Sequence, residues 1–240
     1  MELEKAYSSL SLDGGKLRNP QEAISTYAQE ILEYCEYRAE VLNSFVEPRL
    51  MNGAQAKALY QQLKKEHKPK SPIPLNKQGG EKKVPNYFTG IVNILIESSI
   101  VGAACDYNPR SLPTVTRDGL PVRTLARRID GAFPRCVNPW AVWEIKEYYY
   151  TTTFGSRVAD GVYETLLDGM ELEELSKIEN HHILHYLMVD AHYTWWCLGR
   201  PYLCRIIDML HMGYVDEVFF GKEVLDALPL VAKSWLKPRK

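Results

Sequence analysis

The segment spanning residues 141–149, AVWEIKEYY, most constrains what this chain can fold into. Its apolar content reads as a buried strand, and strand side chains alternate between faces. Glu144 and Lys146 therefore share one face, while Trp143, Ile145 and Glu147 share the other. Buried charges are expensive unless paired or used, so packing explains an acid and a lysine two residues apart in such a strand poorly.

The residues before this strand read differently. Ala23, Ile24, Tyr27, Ile31, Leu32 and Tyr34 recur at helical spacing after Asn19-Pro20, so residues 20–66 read as helical, with a second helix from near Asn52 to about Lys65. Residues 68–80 are rich in Pro, Gly and Lys and read as a loop, suited equally to phosphate contact and to a plain linker. Pro85 opens a further helix whose apolar positions run nearly all round, which predicts burial. Glu97 lies inside that run and needs a cation, a donor or a metal.

The period then shortens. Residues 112–116 and 121–129 read as a hairpin turning at Asp118-Gly119, and the central strand follows. Residues 156–167 read as a helix and 168–179 as an acidic linker. After them come a strand (182–189), a helix (195–211), a strand (215–220) and a helix (222–235). The fold class expected is α/β: a central mixed sheet flanked by helices over residues 85–240, preceded by a helical region over 1–84 that carries the basic loop 68–84.

A chain of 240 residues supports one substantial core. No apolar run reaches the roughly 18 residues of a membrane helix, and the acidic start lacks a signal peptide's pattern, so a cytoplasmic protein is expected. Five cysteines without a Cys-x-x-Cys pair read as reduced thiols. The net charge of −1 is uneven: Lys64, Lys65, Lys68, Lys70, Lys77, Lys82 and Lys83 cluster in one stretch, and Arg117, Arg123, Arg127 and Arg128 precede Asp130. Such runs are solvated faces or, beside a catalytic acid, phosphate-binding segments, since phosphates need local rather than overall positive charge.

Asp130 ends the segment before the central strand, and the connection 131–139, with two prolines, can bend so that Asp130 approaches Glu144. Two carboxylates suit Mg²⁺, which leaves coordination sites for water and a phosphate oxygen. A lysine beside them can orient or deprotonate water or stabilise the charged transition state, although use as a base requires a lowered pKa. The competing reading is a Glu–Lys pair on an exposed strand face.

Ile129-Asp130-Gly131 and Val142-Trp143-Glu144-Ile145-Lys146 resemble the motif of the PD-(D/E)XK nuclease superfamily, whose fold is restriction-endonuclease-like. Ile129 stands where the family pattern has proline. The resemblance spans roughly residues 85–220 in element order. It implies metal-dependent phosphodiester hydrolysis, with Asp130 and Glu144 as metal ligands, Lys146 as the catalytic lysine, and Glu97 in the place of an additional acid from the first core helix. One or two Mg²⁺ ions are the implied cofactor, with Mn²⁺ able to substitute.

Candidate substrate contacts are Tyr148, Thr151, Arg157, Arg128, Lys77, Lys82 and Lys83. The Tyr148–Thr153 run also suits extension of the strand. Arg157 and Glu164 suit either the site or an internal salt bridge. His181, His182 and His185 lack a fourth ligand and read as structural. The function expected is a type II restriction-type or defence endonuclease acting on double-stranded DNA as a homodimer. Alternatives are a repair, recombination or RNA-directed nuclease, and a catalytically inactive nucleic-acid-binding protein.

Overall fold

The computed structural model describes residues 5, 8, 17–18, 24–75, 84–151 and 155–237, apart from the side chain of Arg157. Two compact units, Met1–Pro48 and Arg49–Lys240, make up the chain. In the first, helix α1 (Thr26–Glu40) starts where the Ser25 side chain accepts a hydrogen bond from the Ala28 amide at 3.2 Å, and it runs into a π-helical turn, Val41–Val46. The expected start at Asn19-Pro20 lies outside the described residues.

The second unit holds α2 (Gly53–His67), α3 (Tyr87–Ser99), β1 (Asp106–Tyr107), β2 (Thr114–Arg117), β3 (Leu120–Thr124), β4 (Gly131–Phe133), β5 (Ala141–Glu147), α4 (Ser156–Glu179), β6 (Leu184–Asp190), α5 (Arg200–His211), β7 (Glu217–Phe220) and α6 (Ala227–Ser234). Asn52 caps α2 with a reciprocal pair: its side chain accepts from the Gln55 amide, and the Gln55 side chain accepts from the Asn52 amide, both at 2.9 Å. Ala56, Tyr60 and Leu63 of α2 share an apolar cluster with Phe88, Ile91 and Leu95 of α3. This packing joins α2 to α3 within the unit Arg49–Lys240.

Five strands form one mixed sheet in the order β1-β4-β5-β6-β7. The β1/β4 and β4/β5 pairs are antiparallel, and the β5/β6 and β6/β7 pairs are parallel. Trp143, Tyr186, Met188 and Phe219 pack from one face against α3 and against Leu228, Ala232 and Trp235 at the carboxy-terminal end. On the opposite face, Val142 joins Leu172 and Leu175 of α4. Glu144 and Lys146 share this second face, as alternation requires.

Several boundaries differ from the sequence reading. The Asp118-Gly119 hairpin forms, with both residues at positive φ (53° and 79°), but β2 and β3 make a separate two-stranded sheet. Residues 131–133, expected as a bend, are the strand β4. The bend follows it, where the Phe133-Pro134 peptide is cis. Residues 168–179 are not a linker but the second half of α4, because Glu, Leu and Lys favour helix and Gly169 does not break it. The central strand ends at Glu147, and Tyr148 to Thr151 turn away, the Thr151 amide donating to the Tyr148 carbonyl at 3.1 Å.

Candidate active site

Strand β5 outruns β4, and that mismatch builds the site. The Asp130 amide donates to the Trp143 carbonyl at 3.1 Å, one residue before β4 begins. Beyond that point, among the described residues, β5 has no strand partner on this side. The Asp130 carboxylate supplies one instead, accepting the Ile145 amide at 2.8 Å. Gly131 allows this approach: a Cβ there would lie 2.0 Å from the Trp143 ring. Asp130 is thus held beside Glu144 by backbone geometry.

Asp130, Glu144 and Lys146 line one cleft of about 670 Å³. Glu144 and Lys146 are almost fully buried, at 2% and 6% exposure. Lys146 Nζ donates to Glu144 Oε2 at 2.9 Å. Arg127, from the segment between β3 and β4, lies 3.1 Å from Glu144 Oε1 and 3.1 Å from Glu164 Oε2, and also donates to Asp168. Glu164 and Asp168 stand one turn apart on α4 and face the same guanidinium.

These contacts set the protonation states. Burial pushes the Asp130 carboxyl up to about 7, aided by the Glu144 charge and opposed by Lys146, the Ile145 amide and Arg127. Burial also pushes Glu144 up, but Lys146 and Arg127 together hold it below the ordinary range. Burial disfavours the charged form of Lys146, yet Glu144 holds its pKa above the ordinary value. Lys146 therefore stays protonated. Burial, with help from Glu144, pushes Asp168 up to about 7 against the pull of Arg127.

The remaining expected site residues divide. Tyr148 and Arg128 line the cleft, and Arg128 is exposed. Thr151 is half-buried and, among the described residues, is not one of those lining it. Lys77, Lys82 and Lys83 lie outside the described residues, as does the Arg157 side chain. Glu97 needs correction: it lines a different hollow, where its carboxylate accepts the Lys70 and Ser71 amides at 2.8 and 3.2 Å. Those donors satisfy it and hold its pKa down against burial.

The arginine run also reads differently in three dimensions. Arg117 pairs with Glu179 and Arg123 with Glu174, while Arg127 serves the buried acids, so three of its four members are neutralised on α4. Arg127 and Asp168 are site residues that sequence reasoning missed. Spacing of four from Glu164 was the available signal for Asp168, hidden by ending the helix at Leu167.

Asp130 and Glu144 supply oxygen donors of the class that a hard divalent ion takes. Glu144 Oε1 is buried and accepts no directed hydrogen bond, although Arg127 Nη1 stands 3.1 Å away. Among the described residues, no group of three or more His, Cys, Asp or Glu side chains could hold a metal. A two-carboxylate set suits Mg²⁺, which keeps several waters and substrate oxygens rather than an all-protein cage.

Residues 51–235 match the family described as domain of unknown function DUF7687. The chain belongs to this family. No curated protein and no solved structure shows detectable similarity to it. Among the described residues, no helix is long and apolar enough to cross a membrane.

Proposed function

We propose that this chain is a metal-dependent nuclease that hydrolyses phosphodiester bonds in DNA, with a restriction-endonuclease-like core. One observation carries the reading: a buried acid and a buried lysine share one face of β5, beside a second acid placed just before the start of β4, at an open cleft. A merely structural Glu–Lys pair has no need of a cleft, and an exposed one would not be 2% and 6% accessible.

Asp130 and Glu144 would hold Mg²⁺, which when bound polarises the phosphoryl group and lowers the pKa of water. Lys146, kept protonated by Glu144, acts as a fixed cation: it donates to the attacking water or to a non-bridging phosphate oxygen as charge develops. Gly161 of α4 comes close to this side chain; a Cβ there would lie 3.5 Å from Lys146 Cδ. The missing side chain leaves room there for the lysine stem and for the Tyr148 hydroxyl, which a Cβ would approach to 2.8 Å.

Polyanion binding draws support from the loop after α2. Lys68 and Lys70 are exposed, and Pro74 and Leu75 of the same loop line the cleft. A two-fold pair of chains would give cleavage of both strands of a duplex. A substrate panel tests the class. Supercoiled plasmid, linear duplex, single-stranded DNA and RNA are each incubated with Mg²⁺, and products are resolved by size. Discrete duplex fragments support a restriction-type enzyme. Preference for ends or single strands moves the reading to repair, and cutting of RNA alone overturns the DNA assignment.

A further inference from the structure

The hydrogen bonding at Glu144 is lopsided. Oε2 accepts from Lys146 at 2.9 Å and from Arg127 Nη2 at 3.3 Å. Oε1 lies 3.1 Å from Arg127 Nη1, yet no N–H is directed at it. The guanidinium is instead directed at Asp168, which accepts a short bond from Nη1. Arg127 thus makes its shortest bond to Asp168 and longer contacts to both oxygens of Glu144. Its remaining partner, Glu164, is half-exposed, and a surface ion pair of that kind holds weakly.

We infer that Arg127 is a resident counter-ion of the site, which a divalent cation drawn to Asp130 and Glu144 displaces from Glu144 while Asp168 keeps its grip. This rests on the metal-dependent reading proposed above. Without an ion, Arg127 and Lys146 balance the buried acids and keep the cleft folded. When an ion arrives, Glu144 exchanges one positive neighbour for another, and Asp168 prevents the guanidinium from leaving. Arg127 is a positioning residue in this account: it sets how tightly the ion binds. An edge of the guanidinium is then released toward the cleft, where it can meet an anionic substrate.

The test is Mn²⁺ binding, measured on the full chain by the paramagnetic resonance signal of the free ion, with no substrate present. The informative variant is Arg127→Gln/Asp168→Asn. At about pH 8.5, above the Asp168 pKa of about 7, it removes one positive and one negative charge together, so long-range attraction is unchanged and no buried carboxylate is stranded at position 168. Displacement predicts Mn²⁺ binding about tenfold tighter than in the wild type, equivalent to about 1.4 kcal/mol. Arg127→Lys, whose single ammonium does not match the forked contacts to Asp168 and Glu144, should tighten binding by a smaller factor.

Equal or weaker binding in both variants, with wild-type binding abolished by Asp130→Asn and Glu144→Gln, overturns the counter-ion role and leaves the metal reading standing. Mn²⁺ binding that is absent in the wild type and in both Arg127 variants overturns the metal reading, and the inference with it.

Discussion

Replacing Arg127 with methionine should destabilise the protein through Asp168. Met keeps the aliphatic stem but leaves three carboxylates without the guanidinium. Their losses are unequal. The Glu164 side chain is 48% exposed and water takes over, so its share is below about 1 kcal/mol. Glu144 retains Lys146. The Asp168 side chain, 3% exposed, loses its ion pair. Breaking a buried pair can cost about 3–5 kcal/mol, but protonation caps the charge penalty here: with Asp168 at about 7 it cannot exceed about 1.4 kcal/mol at pH 8, so the expected total loss is about 2 kcal/mol.

Urea unfolding at about pH 8 measures this loss directly, and adding Asp168→Asn should recover at least about half of it by removing the stranded charge. The pH dependence is signed. Asp168 already sits at about 7 in the folded state, above its unfolded value, and losing Arg127 raises it further. The folded variant therefore binds more protons than the unfolded chain, and its stability rises as pH falls through the folded pKa. The deficit relative to wild type should shrink by about pH 5.5. A deficit below about 1 kcal/mol, or one that does not change with pH, refutes the assignment of Arg127 as the charge that holds these acids.

Two further predictions test the frame of the site. Gly131→Ala would place a Cβ 2.0 Å from the Trp143 ring, so it should cost about 3 kcal/mol in urea unfolding; a wild-type midpoint would contradict the β4–β5 packing. Glu147, on the other face, is pushed up to about 7 by burial against the opposing effect of the amides that open α3, Thr89 among them. Its folded pKa exceeds the unfolded one, so its ionisation destabilises the fold as pH rises from about 4 to 7. Glu147→Gln should therefore gain on wild type with increasing pH; melting curves at several pH values check this, and parallel profiles would refute it.

How much the sequence showed varies with the kind of interaction. Local signals were readable: Asn52 as a helix start, Asp118-Gly119 as a turn, and alternation along β5 that puts Glu144 and Lys146 on one face. Helix α3 is buried nearly all round, as its apolar run implied. Long-range pairing was not readable. Whether 121–129 or 131–133 pairs with β5 depends on Gly131 making room for Trp143. The acids of α4 resembled a linker because their partners, Arg117, Arg123 and Arg127, lie roughly fifty residues away in sequence. Glu97 was misplaced for the converse reason: backbone amides satisfy it, and no side-chain pattern announces a backbone donor.

The central claim is that Asp130, Glu144 and Lys146 act together on a phosphodiester. Single-turnover cleavage of plasmid DNA by wild type, Asp130→Asn, Glu144→Gln and Lys146→Met, each with Mg²⁺ and with EDTA, tests it most directly. The account predicts Mg²⁺-dependent cutting by the wild type that EDTA abolishes, and a loss of at least about a hundredfold in every variant, as expected for groups that stabilise developing charge. Each variant should still fold, judged by circular dichroism. Cutting that survives EDTA, or a folded Lys146→Met protein that cuts at the wild-type rate, would contradict it.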